Sequence, residues 1–194
     1  SEEGGKIVKA FETDFPEQLI TLSDVNYVQL NKLTAYTAIK EMSVNLNIDD
    51  SRLVYAFNNY SSLWGLKGRW QTIGACPTVI CDTAHNVAGV KLLQDRLSLV
   101  FNPKHIVWGM SGDKDIEAIL ELLPSDARYY FCEATNDRGL AVAKLLNKAK
   151  QFNLVGIAYE SVDKALTAAR KNSKHNDFIF VGGSTFVVAE LEEL

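Results

Sequence analysis

Past residue 66, short apolar runs alternate with segments whose apolar residues recur every three or four positions. The runs at 70–73, 79–81, 105–108, 129–132, 155–158 and 178–181 read as strands. Helices are expected near 87–101, 115–123, 139–151, 162–171 and 185–192. The spacing is clearest at Val90, Leu93 and Leu97, with Lys91 and Gln94 between them. Strands alternating with amphipathic helices predict βαβ units. The expected class is therefore α/β, with a mostly parallel, Rossmann-like sheet, helices on both faces and right-handed crossovers.

The first third of the chain reads differently. Strands are expected at 6–11 and 18–22, with Pro16 in an acidic turn between them. A helix is expected over 33–46, with Ala35, Ala38, Ile39, Met42 and Leu46 on one face and Asn31 as its N-cap. Asp49-Asp50-Ser51 caps a second helix that turns Leu53, Phe57 and Tyr60 inward. So few elements are thin for an independent core. Residues 1–64 thus read as a partial α+β segment, the remnant of a domain, and 65–194 as the α/β domain. Ser61-Ser62 and the stretch from Gly65 to Gly68 mark the linker. The Ser1-Glu2-Glu3-Gly4-Gly5 start, without an initiator Met, reads as a cut end of a longer chain.

Composition narrows the function. A net charge of −4 argues against a non-specific nucleic-acid binder, so any anion must be held by local donors. The three cysteines form no CxxC pair and have apolar neighbours, which predicts reduced core thiols in a cytoplasmic protein. No apolar run approaches membrane-spanning length, and no signal-peptide pattern is present. There is no HExxH and no Cys/His spacing for a metal. There is no GxxxxGK[ST], since Gly5-Lys6 is followed by Ile7, and no GxGxxG, which disfavours an NAD-dependent oxidoreductase.

The chemistry-bearing residues cluster at strand-to-helix junctions. The strand at 79–81 runs into Asp82-Thr83-Ala84-His85-Asn86 just before a helix. Ligands of open α/β sheets collect at the carboxyl ends of strands, and helix N-termini attract anions. The plainer reading, of equal weight, is that Asn86 caps the helix and Asp82 braces the turn. Arg69 offers a planar fork suited to phosphate, and Gly68 permits a sharp turn before it, although a surface Arg beside a flexible Gly is commoner. The loop Gly109-Met110-Ser111-Gly112-Asp113-Lys114-Asp115 lies on the same edge if the sheet is parallel. There Asp115 reads as a helix cap, and Lys114 as a ligand-side or a solvated group. Gly182-Gly183-Ser184-Thr185 is either a phosphate-binding turn or a tight turn with Ser184 as cap. The Asn31 amide matches the donor and acceptor of adenine, besides its reading as a cap.

Taken together, Gly68-Arg69, Asp82-x-Ala84-His85-Asn86, Asp113-Lys114-Asp115 and Gly183-Ser184 resemble the C-terminal domain of folylpolyglutamate synthase/dihydrofolate synthase, in the Mur ligase superfamily. The stretch Tyr27-Val28-Gln29-Leu30-Asn31 is similar to the end of that family's central ATPase domain. The resemblance implies an ATP- and Mg²⁺-dependent ligase that joins L-glutamate to dihydropteroate or folate through an acyl phosphate. It implies a cytoplasmic monomer without nucleic-acid or membrane partners. It assigns Arg69 to the phosphates and the chemistry, Asp82 to the ribose hydroxyls, and Asn31 to adenine. It sets His85 near the γ-phosphate and the incoming glutamate, and makes Asp113, Lys114 and Ser184 weaker substrate-side candidates. No metal ligand is assigned. Lys67 and Val87 stand where the family often has proline, and neither change removes a chemical group. The family's P-loop, Mg²⁺ ligands and modified lysine belong upstream, which implies a fragment inactive alone. The alternative is a non-catalytic α/β module that binds a protein or small ligand. The Arg69, Asp82 and His85 set separates the two, because a pure scaffold does not need those groups on one edge.

Overall fold

A computed structural model of the protein describes residues 26–43, 48–59 and 65–194, together with Pro16 and Leu63. The chain divides into two compact units between Leu66 and Lys67. The strands expected at 6–11 and 18–22 lie outside the described residues, as do Leu46 and Tyr60.

In the first unit, helix α1 spans Asn26–Ser43 and α2 spans Asp50–Asn58. Asp49 caps α2, accepting from the Ser51 N–H at 3.0 Å and from the Ser51 hydroxyl at 2.6 Å. Helix α1 starts earlier than its apolar pattern indicates, so Asn31 is an exposed residue within the helix rather than its N-cap. Its buried stripe is also rotated. Tyr36 is buried against Leu53, with Ile39 and Phe57 beside them, and Leu33 is buried as well, whereas Ala38 is exposed and Met42 is 62% exposed. Tyr36 and Ile39, three residues apart, match the apolar side of α2, and Tyr36 meets Phe57 edge-on at 6.3 Å.

The second unit is built on a six-stranded sheet. Its strands are β1 (Gln71–Ala75), β2 (Thr78–Asp82), β3 (Lys104–Trp108), β4 (Ala127–Cys132), β5 (Gly156–Tyr159) and β6 (Phe178–Gly182). Their order is β1-β2-β6-β3-β4-β5, parallel throughout except for β1, which pairs antiparallel with β2. The turn between β1 and β2 carries a cis peptide at Cys76-Pro77 and leaves Cys76 exposed, which corrects the expectation of a core thiol there. Cys81 and Cys132 are buried, and burial pushes their thiols up to about 11 and about 12.

Helix α3 (Val87–Ser98) follows β2, α4 (Ile116–Glu121) follows β3, α5 (Val142–Ala149) follows β4, α6 (Val162–Asn172) follows β5, and α7 (Thr185–Ala189) follows β6. Alternate strand residues point to opposite faces and sort the core in two. Ile80, Ile106, Tyr129, Phe131, Phe178 and Phe180 pack under α3, α4 and α5 through Val90, Leu97, Ile119 and Leu145. Val79, Val107, Tyr130, Ile179 and Val181 pack under α6 and α7 through Ala165, Ala169 and Val187. The α/β expectation therefore holds, with shifts at element ends. Helix α3 stops at Ser98, leaving Leu99 and Phe101 exposed in the connection to β3, and α5 begins only at Val142.

This layering predicts a sharp contrast within one residue type. Leu145 is fully buried and Leu99 is 72% exposed. Leu145→Ala should cost about 2–5 kcal/mol by chemical denaturation. Leu99→Ala should stay within about 0.5 kcal/mol of the parent.

Candidate functional site

Because β1 runs antiparallel to β2, the segment that enters β1 arrives at the carboxyl end of β2, with Gln71 paired to Cys81. Gly68, Arg69 and Trp70 therefore lie over Asp82 and Thr83. The turn needs two left-handed residues, Gly68 at φ +70° and Trp70 at φ +46°. A side chain at Gly68 would also meet the Thr83 methyl at 2.7 Å and Val188 at 2.8 Å. Asp82, only 4% exposed, holds the crossing together. One of its oxygens accepts the Trp70 N–H at 2.7 Å and the other accepts the Ala84 N–H at 2.8 Å. The Gln71 amide oxygen accepts the Gly68 N–H at 2.8 Å.

Thr83 is the hub between the charged groups. Its N–H donates to the Gly68 carbonyl at 2.9 Å, and its hydroxyl accepts from the Arg69 guanidinium. Its carbonyl meets His85 Nδ1 at 2.9 Å. A carbonyl can only accept, so Nδ1 carries a proton. Nε2 makes no hydrogen bond among the described residues and is an acceptor in the neutral ring. Asn86 caps α3, its side-chain oxygen accepting the Gly89 N–H at 2.8 Å.

The strand ends line up beyond this clamp. Asp82 is level with Gly182, Gly182 with Trp108, and Trp108 with Phe131. From β2 and β3 the chain leaves toward one face, and from β6, which lies between them, toward the other. Such a topological switch point opens a crevice at the carboxyl edge. Gly183 passes close by at φ +93°, where a Cβ would stand 2.4 Å from the Gly109 carbonyl oxygen and 2.6 Å from the Trp108 ring. Ser184, 2% exposed, accepts the Phe186 N–H at 3.2 Å as cap of α7 and sits 3.3 Å from the Ser111 hydroxyl.

Asp113 and Lys114 form a second group on the loop after β3. Asp113 pairs with Arg138 at 2.8 Å and with Lys114 at 3.3 Å. These cations, Arg138 first, hold its carboxyl below the usual range. The loop after β4 is tied alongside, with the Leu140 N–H on the Met110 carbonyl at 2.8 Å and the Gly112 N–H on the Arg138 carbonyl at 3.0 Å. Asp115 caps α4 through the Ala118 N–H at 3.2 Å.

The structure thus gathers Arg69, Asp82 and His85 around Thr83, and sets Ser184 at the neighbouring strand end. Asp113 and Lys114 form an ion-paired cluster of their own, and Asn31 belongs to the first unit. Thr83 and Arg138 escaped the sequence reading. A hydroxyl residue inside Asp82-x-Ala84-His85 was the available signal for Thr83, whereas no local pattern marks Arg138. Among the described residues, no cluster of His, Cys, Asp or Glu can hold a metal, and no helix is long and apolar enough to cross a membrane.

An open α/β sheet with its charged groups gathered at a switch point is the architecture of domains that receive small polar ligands. The chain belongs to the family described as Mur ligase, glutamate ligase domain, whose model matches residues 68–185. It is 33% identical over 134 residues to the dihydrofolate synthase/folylpolyglutamate synthase of Escherichia coli K12, covering 66% of this chain and 30% of that protein. The structure of E. coli FolC in complex with DHPP and ADP superposes with a TM-score of 0.58 at 33% identity, covering 64% of this chain and 30% of that one. A bifunctional folylpolyglutamate synthase/dihydrofolate synthase with Mn, AMPPNP and L-glutamate bound gives a TM-score of 0.57 at 27% identity over the same shares. The chain therefore spans about 30% of the length of the E. coli relative.

The geometry at Asp82 makes a direct prediction. Asp82→Ala leaves the N–H groups of Trp70 and Ala84 without their acceptor. It should lower stability by about 1–3 kcal/mol in urea unfolding. An unchanged unfolding midpoint would show that the carboxylate does not hold the crossing.

Proposed function

We propose that this chain provides the C-terminal domain, residues 65–194, of an ATP-dependent ligase that joins L-glutamate to dihydropteroate or a folate. Residues 1–64 are the end of its central ATPase domain. The observation that carries the reading is the Thr83 hub, which holds an arginine and a histidine with one unengaged ring nitrogen at the carboxyl edge of a Mur-ligase-family sheet. The names of the relatives, and the ADP, AMPPNP, DHPP and L-glutamate in their structures, support the substrate class.

In this reading the substrate carboxylate attacks the γ-phosphate of ATP, giving an acyl phosphate and ADP. The glutamate amine then attacks the acyl carbon, and phosphate leaves. Positioning and charge neutralisation supply most of the catalysis. The Arg69 guanidinium, anchored at one nitrogen by Thr83, turns its remaining donors to the phosphates. Asp82 accepts from the ribose hydroxyls, and Asn31 reads adenine. His85 works through Nε2, accepting the proton that the glutamate ammonium must lose or, when charged, donating to the transferring phosphoryl group. Asp113, Lys114 and Ser184 serve the glutamate side. The Mg²⁺ ligands are expected upstream of this chain. The reading includes a monomeric state and a cytoplasmic location, the second in keeping with three free thiols.

The chain has no P-loop sequence and spans about 30% of the length of its E. coli relative, so alone it should show no ligase activity. The assay is ADP release with dihydropteroate or a folate, glutamate and Mg²⁺. Turnover that requires both substrates would overturn the fragment reading. In the full-length protein, His85→Ala should lower kcat by the equivalent of about 2–4 kcal/mol with a much smaller change in KM for ATP. An unchanged kcat would remove His85 from the chemistry.

A further inference from the structure

We infer that Arg96, acting through the indole of Trp70, is a positioning residue that sets the aim of Arg69. The inference rests on the reading of Arg69 as a phosphate-binding group.

Arg69 is exposed and is held at one nitrogen by Thr83, so its direction also depends on the backbone that carries it. That backbone is unusual. Arg69 stands between Gly68 at φ +70° and Trp70 at φ +46°. Glycine adopts this region freely, whereas tryptophan seldom does. A residue kept there must be held by its surroundings.

Among the described residues, four side chains from three elements hold Trp70. Asp82, at the end of β2, accepts its N–H at 2.7 Å. Phe178 and Phe180, on β6, lie against the indole with ring centres at 6.4 and 6.0 Å. The Arg96 guanidinium, in the last turn of α3, lies over the indole 4.7 Å from its centre. This is cation–π distance, with a planar cation on the best aromatic partner. The indole is thus held by contacts with both the β6 rings and Arg96. If it slipped, Trp70 would relax toward an ordinary negative φ, and the peptide joining it to Arg69 would rotate. That rotation would carry the Trp70 N–H off Asp82 and swing Arg69 away from Thr83.

Arg96 is ten residues along α3 from the cap Asn86, which puts it about 15 Å down the helix axis from the crevice end. Among the described residues, the contact that links it to Arg69 is the one with the ring. A merely structural role for Arg96, covering a half-buried indole, would affect stability alone.

The test is a double-mutant cycle in the full-length protein, with Arg69→Ala, Arg96→Met and the pair, read as kcat, KM for ATP and melting temperature. Arg96→Met keeps an apolar stem over the indole and removes the cation. It should reduce kcat/KM for ATP about 3- to 10-fold, in line with one cation–π contact. It should add nothing in the Arg69→Ala background, because the group it aims is gone. Arg96→Lys, which keeps a cation over the ring, should recover part of the loss. Trp70→Phe, which keeps a ring at the turn, should be milder than Trp70→Ala, which leaves a positive φ with no ring to hold it. If Arg69→Ala impairs the enzyme while Arg96→Met is kinetically silent or multiplies its effect in full, this inference is wrong and the functional reading stands. If Arg69→Ala leaves the kinetics unchanged, the phosphate role of Arg69 and this inference fall together.

Discussion

The Asp82 carboxylate joins two pieces of backbone that arrive from opposite directions. β2 ends on it, and the turn before β1 crosses it because β1 is antiparallel. One oxygen takes the N–H of the incoming chain and the other takes the N–H of the outgoing chain. A carboxylate this deeply buried is tolerated when charge-assisted bonds replace its water. The same two bonds fix where Arg69 leaves the turn and where His85 enters the next helix. The candidate site therefore depends on a strand that contributes none of its own side chains to the chemistry.

The sheet sets the rest by its register. With Asp82, Gly182 and Trp108 level, the ends of β2, β6 and β3 form one ledge. The connections diverge there because β6, last in sequence, is inserted between β2 and β3. Closeness at this ledge is bought with glycine, since a Cβ at Gly183 would collide with the Gly109 carbonyl and the Trp108 ring. The neighbouring thiols belong to the packing. Cys81 and Cys132 are buried and their ionisation is pushed upward, so neither is a nucleophile near neutral pH.

The α/β part was legible because its signals are local. Asn86, Asp115, Ser161 and Ser184 each cap the helix that follows them, and the apolar positions of β2, β3, β4 and β6 sort onto two faces. What the sequence hid depends on partners far along the chain. Nothing local states that β1 runs antiparallel, yet that direction brings Arg69 to the site. The Asp113 and Arg138 pair spans two different loops, and no spacing rule connects them. The rotated stripe of α1 was misread for a related reason. Ala38 and Met42 have apolar side chains at helical spacing, but α2 meets the Tyr36 and Ile39 side. Thr83 was hidden because its role is to bind neighbours, and a hydroxyl inside Asp82-x-Ala84-His85 does not itself say which neighbours those are.

Around Thr83 the fold separates atoms that set geometry from atoms left for a ligand. Its N–H, hydroxyl and carbonyl are all engaged, with Gly68, Arg69 and His85 in turn. Arg69 gives one guanidinium nitrogen to this framework and keeps the others, which a lysine could not do, because its single ammonium has to serve both purposes. His85 gives Nδ1 and keeps Nε2. Since the orienting bonds are internal, the groups that face a ligand are aligned before it arrives, and little reorganisation remains to oppose the developing charge of a reaction. In the proposed ligase that is the main catalytic demand on this domain, because forming and consuming an acyl phosphate needs charge held in place more than it needs a reactive side chain.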